Sequence, residues 1–237
     1  MAITTSITER LTAVKMNIAM ACERVKRDPS EVRIVGVTKT HPAAVVKETL
    51  DAGLLDFGEN RTQELLPKAA EIEAMGFTPR WHFVGHLQRN KVSQVLTRIS
   101  TLHSLDSIRL ANEIEHRSEL LNRLSKTEAP PEALACYLEV NVSGEVSKEG
   151  VKPRQISELL QELNRYRYIE IVGLMTVAPF VRDPEEVRPV FRRLNELADT
   201  HGLNGLSMGM TDDYVVAIEE GATIVRLGRV LFGVRDY

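Results

Sequence analysis

The start of the chain carries apolar side chains at spacings of three and four, which is the period of a helix that buries one face. Ser6 and Glu9 form a capping-box pair, which marks the start of this helix. Asp28 and Pro29 mark its end. We therefore predict an N-terminal helix that buries Ile7, Leu11, Val14, Ile18, Cys22 and Val25.

Short apolar runs alternate with helical patterns along the rest of the chain. The helical stretches have one apolar face, as in the series Leu110, Ile114, Leu121 and Leu124. Strands that alternate with helices form parallel sheets, and eight such units favour a closed (β/α)₈ barrel, or TIM barrel, over an open doubly wound sheet. The predicted strands are Arg33–Val37, Leu54–Phe57, Trp81–Val84, Thr101–Leu105, Ala135–Val142, Ile169–Leu174, Gly205–Met208 and Thr223–Leu227.

The length of the chain agrees with this fold class. A barrel of this kind typically takes about 250 residues, and the chain has 237. Pro130 and Pro131 lie in a short segment that has the composition of a surface loop rather than of an interdomain linker. We therefore expect residues 1–237 to form a single α/β barrel domain with one extra N-terminal helix.

Composition and charge narrow the classes of partner. A chain that is 43% hydrophobic and 27% charged is typical of a soluble globular protein. Its net charge of −3, without a long block of like charges, argues against nucleic acid as a partner. The sequence shows neither a signal peptide nor an uncharged run long enough to span a bilayer. Cys22 and Cys136 lie in apolar patterns and are expected to be buried thiols. We predict a cytoplasmic protein without a membrane partner.

A lysine follows the first predicted strand. In a barrel of parallel strands, functional side chains gather where the strands end, and Thr38, Lys39 and Thr40 stand at such a position. A partly desolvated lysine amine loses its proton more easily and can form a Schiff base. Taken alone, Lys39 equally fits a solvated lysine at a strand end.

Two glycine-containing segments follow the seventh and eighth predicted strands. Ser207 and Gly209 belong to the first segment, and Arg226, Gly228 and Arg229 belong to the second. Barrels often bind phosphate with the loops after these two strands, because glycine lets backbone N–H groups approach the anion. Each loop alone could be an ordinary turn, but together with a lysine after the first strand they form a candidate phosphate-binding site.

Seven stretches of the chain resemble the pyridoxal phosphate homeostasis proteins, which are single-barrel relatives of the N-terminal domain of alanine racemase. They cover most of the chain from Ile34 onward. The stretches are VGVTKTHP at 35–42, GENRTQE at 58–64, WHFVGHLQRNK at 81–91, NVSGEVSKEG at 141–150, GLMTVAP at 173–179, LSMGMTDDY at 206–214 and ATIVRLGRVLFG at 222–233.

The resemblance implies that pyridoxal 5′-phosphate is the cofactor and that Lys39 carries it as a covalent aldimine. It implies that Ser207 and Gly209 bind the phosphate through a hydroxyl and a backbone N–H. Gly228 and the N–H of Arg229 would close the phosphate cradle.

The resemblance also implies a role for Arg226, which would face the nitrogen of the pyridine ring. An arginine cannot accept a proton, so it leaves that nitrogen unprotonated and weakens the ring as an electron sink. Asn60 and Met175 would line the ring together with Thr176, although Asn60 equally fits a helix cap and Met175 equally fits the core. Residues expected nearby are Asn141 and Ser143.

Two positions depart from the family pattern, and three histidines allow a rival interpretation. Thr211 stands where the family often has serine, which keeps a hydroxyl, and Arg229 stands where some members have threonine, which removes one. His82 and His86 are four residues apart and His103 follows, but these positions lack the cysteines or clustered carboxylates of a metal site. We predict no metal and expect these histidines to be hydrogen-bonded core or rim groups.

The resemblance implies a protein that carries, buffers or senses pyridoxal phosphate and so affects amino-acid and keto-acid metabolism. The alternative is a small pyridoxal phosphate-dependent racemase or decarboxylase. We expect no efficient enzyme, because the two-domain relatives supply further catalytic groups from a second domain and a dimer partner. Apo-enzymes that receive the cofactor are the expected protein partners, and a monomer is the expected oligomeric state.

Overall fold

The computed structural model describes residues 5–125, 133–145 and 148–233. Eight parallel strands form a closed barrel in which each strand pairs with the next and the first pairs with the last. This confirms the predicted (β/α)₈ barrel. The strands are β1 (Arg33–Val37), β2 (Asp56–Glu59), β3 (Arg80–Phe83), β4 (Thr101–Leu105), β5 (Leu134–Glu139), β6 (Ile169–Met175), β7 (Gly205–Ser207) and β8 (Ile224–Leu227).

Helices surround the barrel and follow the predicted alternation. None of those within the described ranges is long and apolar enough to cross a membrane. Short 3₁₀ turns occupy Pro29–Glu31, Arg89–Lys91, Pro153–Gln155 and Pro184–Val187. The helices are α1 (Ile7–Arg24), α2 (Ala43–Asp51), α3 (Thr62–Ala74), α4 (Val92–Val95), α5 (Ile108–Ser125), α6 (Ile156–Leu163), α7 (Arg188–Thr200), α8 (Tyr214–Glu219) and α9 (Arg229–Phe232).

The extra N-terminal helix α1 forms as the sequence predicts. Ser6 and Glu9 make both bonds of the capping box, and the apolar face from Ile7 to Cys22 is buried. Val25, which was predicted to be buried, is instead exposed, because the helix ends at Arg24 and Val25 is its C-cap. The loop after α1 is fastened to the rest of the fold by Arg27, whose guanidinium donates to the carbonyl oxygens of Ile218 and Ala222.

Two layers of side chains fill the molecule. The larger layer lies between strands and helices and includes the fully buried Phe57, Phe83 and Phe191. Within the barrel, a small apolar cluster is formed by Val35, Tyr137, Met175 and Ile224. Barrel interiors are normally filled with branched apolar residues. This one also holds buried polar side chains, namely Asp56, His82, His103, Ser207 and Arg226.

Strand bounds differ from the predicted ones mainly at β2 and β5. The apolar pair Leu54 and Leu55 drew the predicted second strand two residues too early, whereas the pairing with β3 runs from Asp56 to Glu59. The fifth strand was predicted to reach Val142 but ends at Glu139, after which Val140 makes one isolated bridge. At β2 the polar Asp56 and Glu59 hide the limits of the strand, whereas at β5 the apolar Val140 and Val142 extend the predicted strand beyond its end.

Candidate functional site

Lys39 lies in the turn that follows β1. The ladder continues one residue past the strand, because the N–H of Thr38 donates to the carbonyl oxygen of Gly58 at 3.1 Å. Thr38 is fully buried and Lys39 is partly buried. The lysine therefore stands at the carboxyl end of the barrel, where the sequence predicts it.

A buried ion pair holds this turn in place. Lys68 of α3 bonds to the carboxylate of Glu59 and donates to the carbonyl oxygen of Thr38 at 2.7 Å. The Thr38 hydroxyl donates to the same carboxylate, at 2.7 Å from Glu59 Oε1. Since the carbonyl of Thr38 directly precedes Lys39, these contacts fix the position of the Lys39 backbone. The sequence pattern does not reveal that Lys68 pairs with Glu59, since their contact joins a strand end to the next helix.

The loops after β7 and β8 lie beside the lysine turn. Gly228 is the N-cap of α9, and a Cβ at this position would lie 3.6 Å from the carbonyl oxygen of Val37 in β1. The N–H of Val230, in the first turn of α9, points at the Thr211 hydroxyl at 3.5 Å. Gly209 has a φ of +91°, and a Cβ there would lie 2.6 Å from that of Ala217, so the loop requires glycine.

Other predicted site residues have mixed environments. Met175 is 1% exposed and packs inside the barrel, which supports a core role; its contact with a ring stays a prediction. Arg229 is exposed and its guanidinium pairs with Asp212, so only its backbone N–H belongs to the loop that follows Gly228. Asn141 accepts from the N–H of Gly144 and donates to the carbonyl of Glu145, which organises its own loop.

Asn60 follows β2 directly. It is not the cap of α3, because that position belongs to Arg61. Its Oδ1 is buried and has no hydrogen-bond partner among the described residues, and the same is true of Glu59 Oε2. Buried polar atoms are almost always satisfied in folded proteins. An acceptor left over at the end of a barrel strand fits a ligand that brings a hydrogen-bond donor.

Arg226 is enclosed at the end of β8. One of its terminal nitrogens, Nη1, donates to the carbonyl oxygen and to the hydroxyl of Ser207, each at 2.7 Å. The other, Nη2, donates to the carbonyl oxygen of Thr176 at 2.9 Å. The Ser207 hydroxyl is therefore engaged inside the barrel. The contact between this hydroxyl and phosphate stays a prediction.

A chain of hydrogen bonds continues from Ser207 through the barrel interior. Ser207 Oγ lies 2.7 Å from His103 Nδ1, and His103 Nε2 lies 2.9 Å from His82 Nδ1. His82 Nε2 lies 3.0 Å from Asp56 Oδ1, and Arg80 makes a two-pronged contact with the same carboxylate. The chain thus links the amino ends of β2 and β3 to the carboxyl ends of β7 and β8. His82 and His103 were expected from the sequence to be core or rim groups, but their spacing does not reveal that they contact each other.

The charges along this chain are strongly perturbed. Burial would raise the pKa of Asp56, but hydrogen bonds from Arg80 and His82 hold it well below its usual range. Burial lowers the pKa of His82 and, more strongly, that of His103. Burial also lowers the pKa of Arg226 to about 10. At neutral pH this chain of hydrogen bonds therefore contains one carboxylate and two neutral imidazoles between the guanidiniums of Arg80 and Arg226.

These histidines offer no metal site. The ring nitrogens of His82 and His103 already contact one another, Asp56 and Ser207. Within residues 5–125, 133–145 and 148–233 there is no group of three histidine, cysteine or acidic side chains that could hold a metal ion. Cys22 and Cys136 are free and buried, as the sequence predicts.

Comparisons with known proteins agree with this arrangement. The family model described as alanine racemase, N-terminal domain, matches residues 10–236. A pyridoxal phosphate homeostasis protein of Aquifex aeolicus is 42% identical over 97% of this chain and 98% of its own length. The structure of PipY of Synechococcus elongatus with PLP bound is 31% identical, with a TM-score of 0.79, over 96% of this chain and 100% of that one. Alanine racemase of Clostridium difficile shares the fold, with a TM-score of 0.67 and 17% identity, over 93% of this chain and 57% of the racemase. The chain therefore belongs to the alanine racemase N-terminal domain family and, within it, to the pyridoxal phosphate homeostasis proteins.

Proposed function

We propose that this protein binds pyridoxal 5′-phosphate as a Schiff base on Lys39 and carries, buffers or senses the cofactor. The observation that carries the proposal is the closure of the barrel between β1 and β8. That closure brings the turn with Lys39 against the loop with Gly228, although the two are far apart in sequence. The PLP bound to the relative PipY supports the choice of ligand.

The phosphate cradle that we propose differs in two members from the sequence prediction, because the Thr211 hydroxyl and the Val230 N–H take the place of the Ser207 hydroxyl and the Gly209 N–H. The Thr211 hydroxyl and the N–H groups of Arg229 and Val230 surround the start of α9, next to Gly228. A helix start of this kind favours an anion, because its first N–H groups lack partners within the helix. Ser207 then acts through Arg226, which would face the nitrogen of the ring.

The covalent attachment is tested by reducing the cofactor-loaded protein with borohydride and mapping the modified peptide. We expect the modification on Lys39 and a visible absorption band that is lost in Lys39→Ala. Lys47→Ala, on the surface of α2, is the matched control and should keep the band. A modified lysine elsewhere would overturn the assignment.

The cradle is tested with Thr211→Val, which preserves shape and removes the hydroxyl. A hydrogen bond to a charged group contributes about 1.5–3 kcal/mol, so the affinity for pyridoxal phosphate should fall roughly tenfold to a hundredfold. Binding of pyridoxal, which has no phosphate, should change little. If Thr211→Val binds pyridoxal phosphate as tightly as the wild type, the phosphate lies elsewhere.

A role as carrier, rather than as an efficient enzyme, follows from Arg226. The bound cofactor would supply an electron sink, and a guanidinium beside the ring nitrogen keeps that sink weak because it donates a hydrogen bond to the nitrogen without transferring its proton at neutral pH. Loaded protein incubated with L- and D-amino acids should show neither racemisation nor release of carbon dioxide at an ordinary enzymatic rate, about 1–1,000 per second. Such turnover, lost in Lys39→Ala, would establish the racemase or decarboxylase instead.

The proposal also covers the location, the oligomeric state and the protein partners. The protein would act as a cytoplasmic monomer that passes the cofactor to apo-enzymes, and its two free thiols suit a reducing compartment. Light scattering measures the oligomeric state. Loss of the visible band on addition of an apo-enzyme, with gain of that enzyme's activity, measures transfer.

A further inference from the structure

The donors and acceptors in the hydrogen-bond chain can be assigned from its carboxylate end. Asp56 only accepts, so His82 donates from Nε2. Neutral His82 then accepts at Nδ1, and His103 must donate to it from Nε2. Neutral His103 accepts at Nδ1, so the Ser207 hydroxyl donates its proton there. With that proton committed, Ser207 Oγ faces Arg226 only as an acceptor.

We propose that Asp56, His82 and His103 are positioning residues for the cofactor site. They act by fixing the direction of the Ser207 hydroxyl, and this hydroxyl in turn fixes the guanidinium of Arg226. The proposal rests on the proposed function in one respect, namely that Arg226 faces the bound cofactor. The direction of the hydrogen-bond chain itself is a property of the protein alone.

The consequence for Arg226 follows from its geometry. A guanidinium is planar and has five N–H groups. Three of them bind the carbonyl and hydroxyl of Ser207 and the carbonyl of Thr176. The plane of the group is thereby set, and so is the direction of the other two N–H groups. A Ser207 hydroxyl that turned its proton toward Arg226 would remove one of these three acceptors.

The hydrogen bonds keep this order of donors and acceptors only while both imidazoles are neutral, since an imidazolium has no acceptor nitrogen. Burial is the main cause that lowers both pKa values. The charged groups around His82 are Asp56, Arg80 and Arg33. Of these three, the Asp56 carboxylate raises the pKa of His82, and the two guanidiniums lower it. His103 faces Arg226, Arg33 and His82, which all lower its pKa further.

The first experiment measures the tautomers directly in the full-length protein. Nitrogen-15 spectra of the histidine rings should show His82 and His103 neutral, with the proton on Nε2 in each, both without and with pyridoxal phosphate. A proton on Nδ1 of His103, or a charged ring at neutral pH, would overturn the proposal. This experiment does not depend on the cofactor, so its result stands even if the protein does not bind pyridoxal phosphate.

The second experiment breaks the chain with a residue of similar shape. His103→Phe keeps the ring that stacks on Tyr137, at 4.9 Å between centroids, and removes both nitrogens. We expect the affinity for pyridoxal phosphate to fall about three- to tenfold and the pH midpoint of its visible band to shift. Asp56→Asn, at the far end of the chain, should change the band in the same direction by a smaller amount, and it provides the test if His103→Phe does not fold.

A control separates positioning from stability. Val95→Ala, in the outer helix α4, creates a cavity in the core away from the chain. It should lower stability and leave the affinity and the pH midpoint at wild-type values. If His103→Phe and Asp56→Asn also keep the wild-type affinity and pH midpoint, the chain of hydrogen bonds has only a structural role and the proposal is wrong.

Discussion

Arg226 carries its positive charge into a buried position, where its bonded partners are two carbonyl oxygens and one hydroxyl. A buried charge is costly unless nearby groups compensate for it. Glu139 and Asp213 lie close enough to raise the pKa of Arg226, which burial lowers to about 10. The two acids are buried as well, and burial raises the pKa of both. The positive charge of Arg226 is therefore stabilised by carbonyl and hydroxyl dipoles and by two carboxyl groups whose own pKa values burial raises.

Glu139→Gln should change how stability depends on pH. Burial, with a smaller contribution from Glu149, raises the pKa of Glu139 to about 7. An unfolded glutamate titrates near pH ~4.3, so the folded protein holds an extra proton between these values and loses stability as pH rises through them. The variant lacks that loss. Its free energy of unfolding should therefore increase relative to the wild type by at most about 1.4 kcal/mol per pH unit up to about pH 7.

Urea unfolding of both proteins between pH 5 and pH 8 measures this difference. Glu170→Gln, at an exposed position on the neighbouring strand β6, is the matched control for the loss of a carboxyl group. A Glu139→Gln curve parallel to that of the wild type would mean that the carboxyl group is ionised throughout this range.

Gly173→Ala should disrupt the contact between β6 and β7. A Cβ at Gly173 would lie 2.0 Å from the carbonyl oxygen of Gly205, and backbone cannot move aside as a side chain can. Overpacking costs typically 1–3 kcal/mol, and we expect about 3 kcal/mol or more here. Gly228→Ala, whose Cβ would meet only a carbonyl oxygen at 3.6 Å, should unfold at nearly the wild-type urea concentration. Equal midpoints for the two variants would contradict this prediction.

At the scale of elements, helix patterns were the most reliable part of the sequence prediction. The apolar face of α1 from Ile7 to Cys22 is buried as its spacing indicates, because α1 packs with this one face against the neighbouring helices α2, α8 and α9. Strand β2 was less predictable: its inward-facing Asp56 does not look like a core residue, and only its contact with His82 explains its burial.

Leu11→Ala should show that α1 is part of the core rather than an appendage. Leu11 is 2% exposed within the main hydrophobic cluster. Removing a buried leucine side chain typically costs 2–5 kcal/mol, and we expect about 3 kcal/mol from chemical denaturation. Met16→Ala, at a position that is 62% exposed on the same helix, should change stability by less than about 0.5 kcal/mol. Comparable losses in both variants would mean that α1 packs differently.

At the scale of the whole molecule, the sequence predicted which loops meet but not what joins them inside. Loops after parallel strands must gather at one end of a closed barrel, so the neighbourhood of Lys39 and Gly228 followed from topology alone. The bonds from Asp56 to Ser207 join β2, β3, β4 and β7 across the interior. Such contacts depend on the register and tilt of strands, which a pattern of apolar positions does not determine. The same limit explains why Thr211, rather than Ser207, is the hydroxyl that faces the start of α9.

The barrel should unfold as one unit, with the cofactor as a global stabiliser. One hydrophobic cluster runs from Leu11 in α1 to Leu231 in α9, and the first and last strands pair directly, so neither end can detach without opening the barrel. We expect a single urea transition that is the same by fluorescence and by circular dichroism. Pyridoxal phosphate at about one hundred times its dissociation constant should raise the free energy of unfolding by about 2.7 kcal/mol, without a second transition. Lys39→Ala should unfold similarly without cofactor and gain less from it. Two separate transitions in the wild type would contradict the single domain, and a single transition that pyridoxal phosphate leaves unmoved would contradict the binding site.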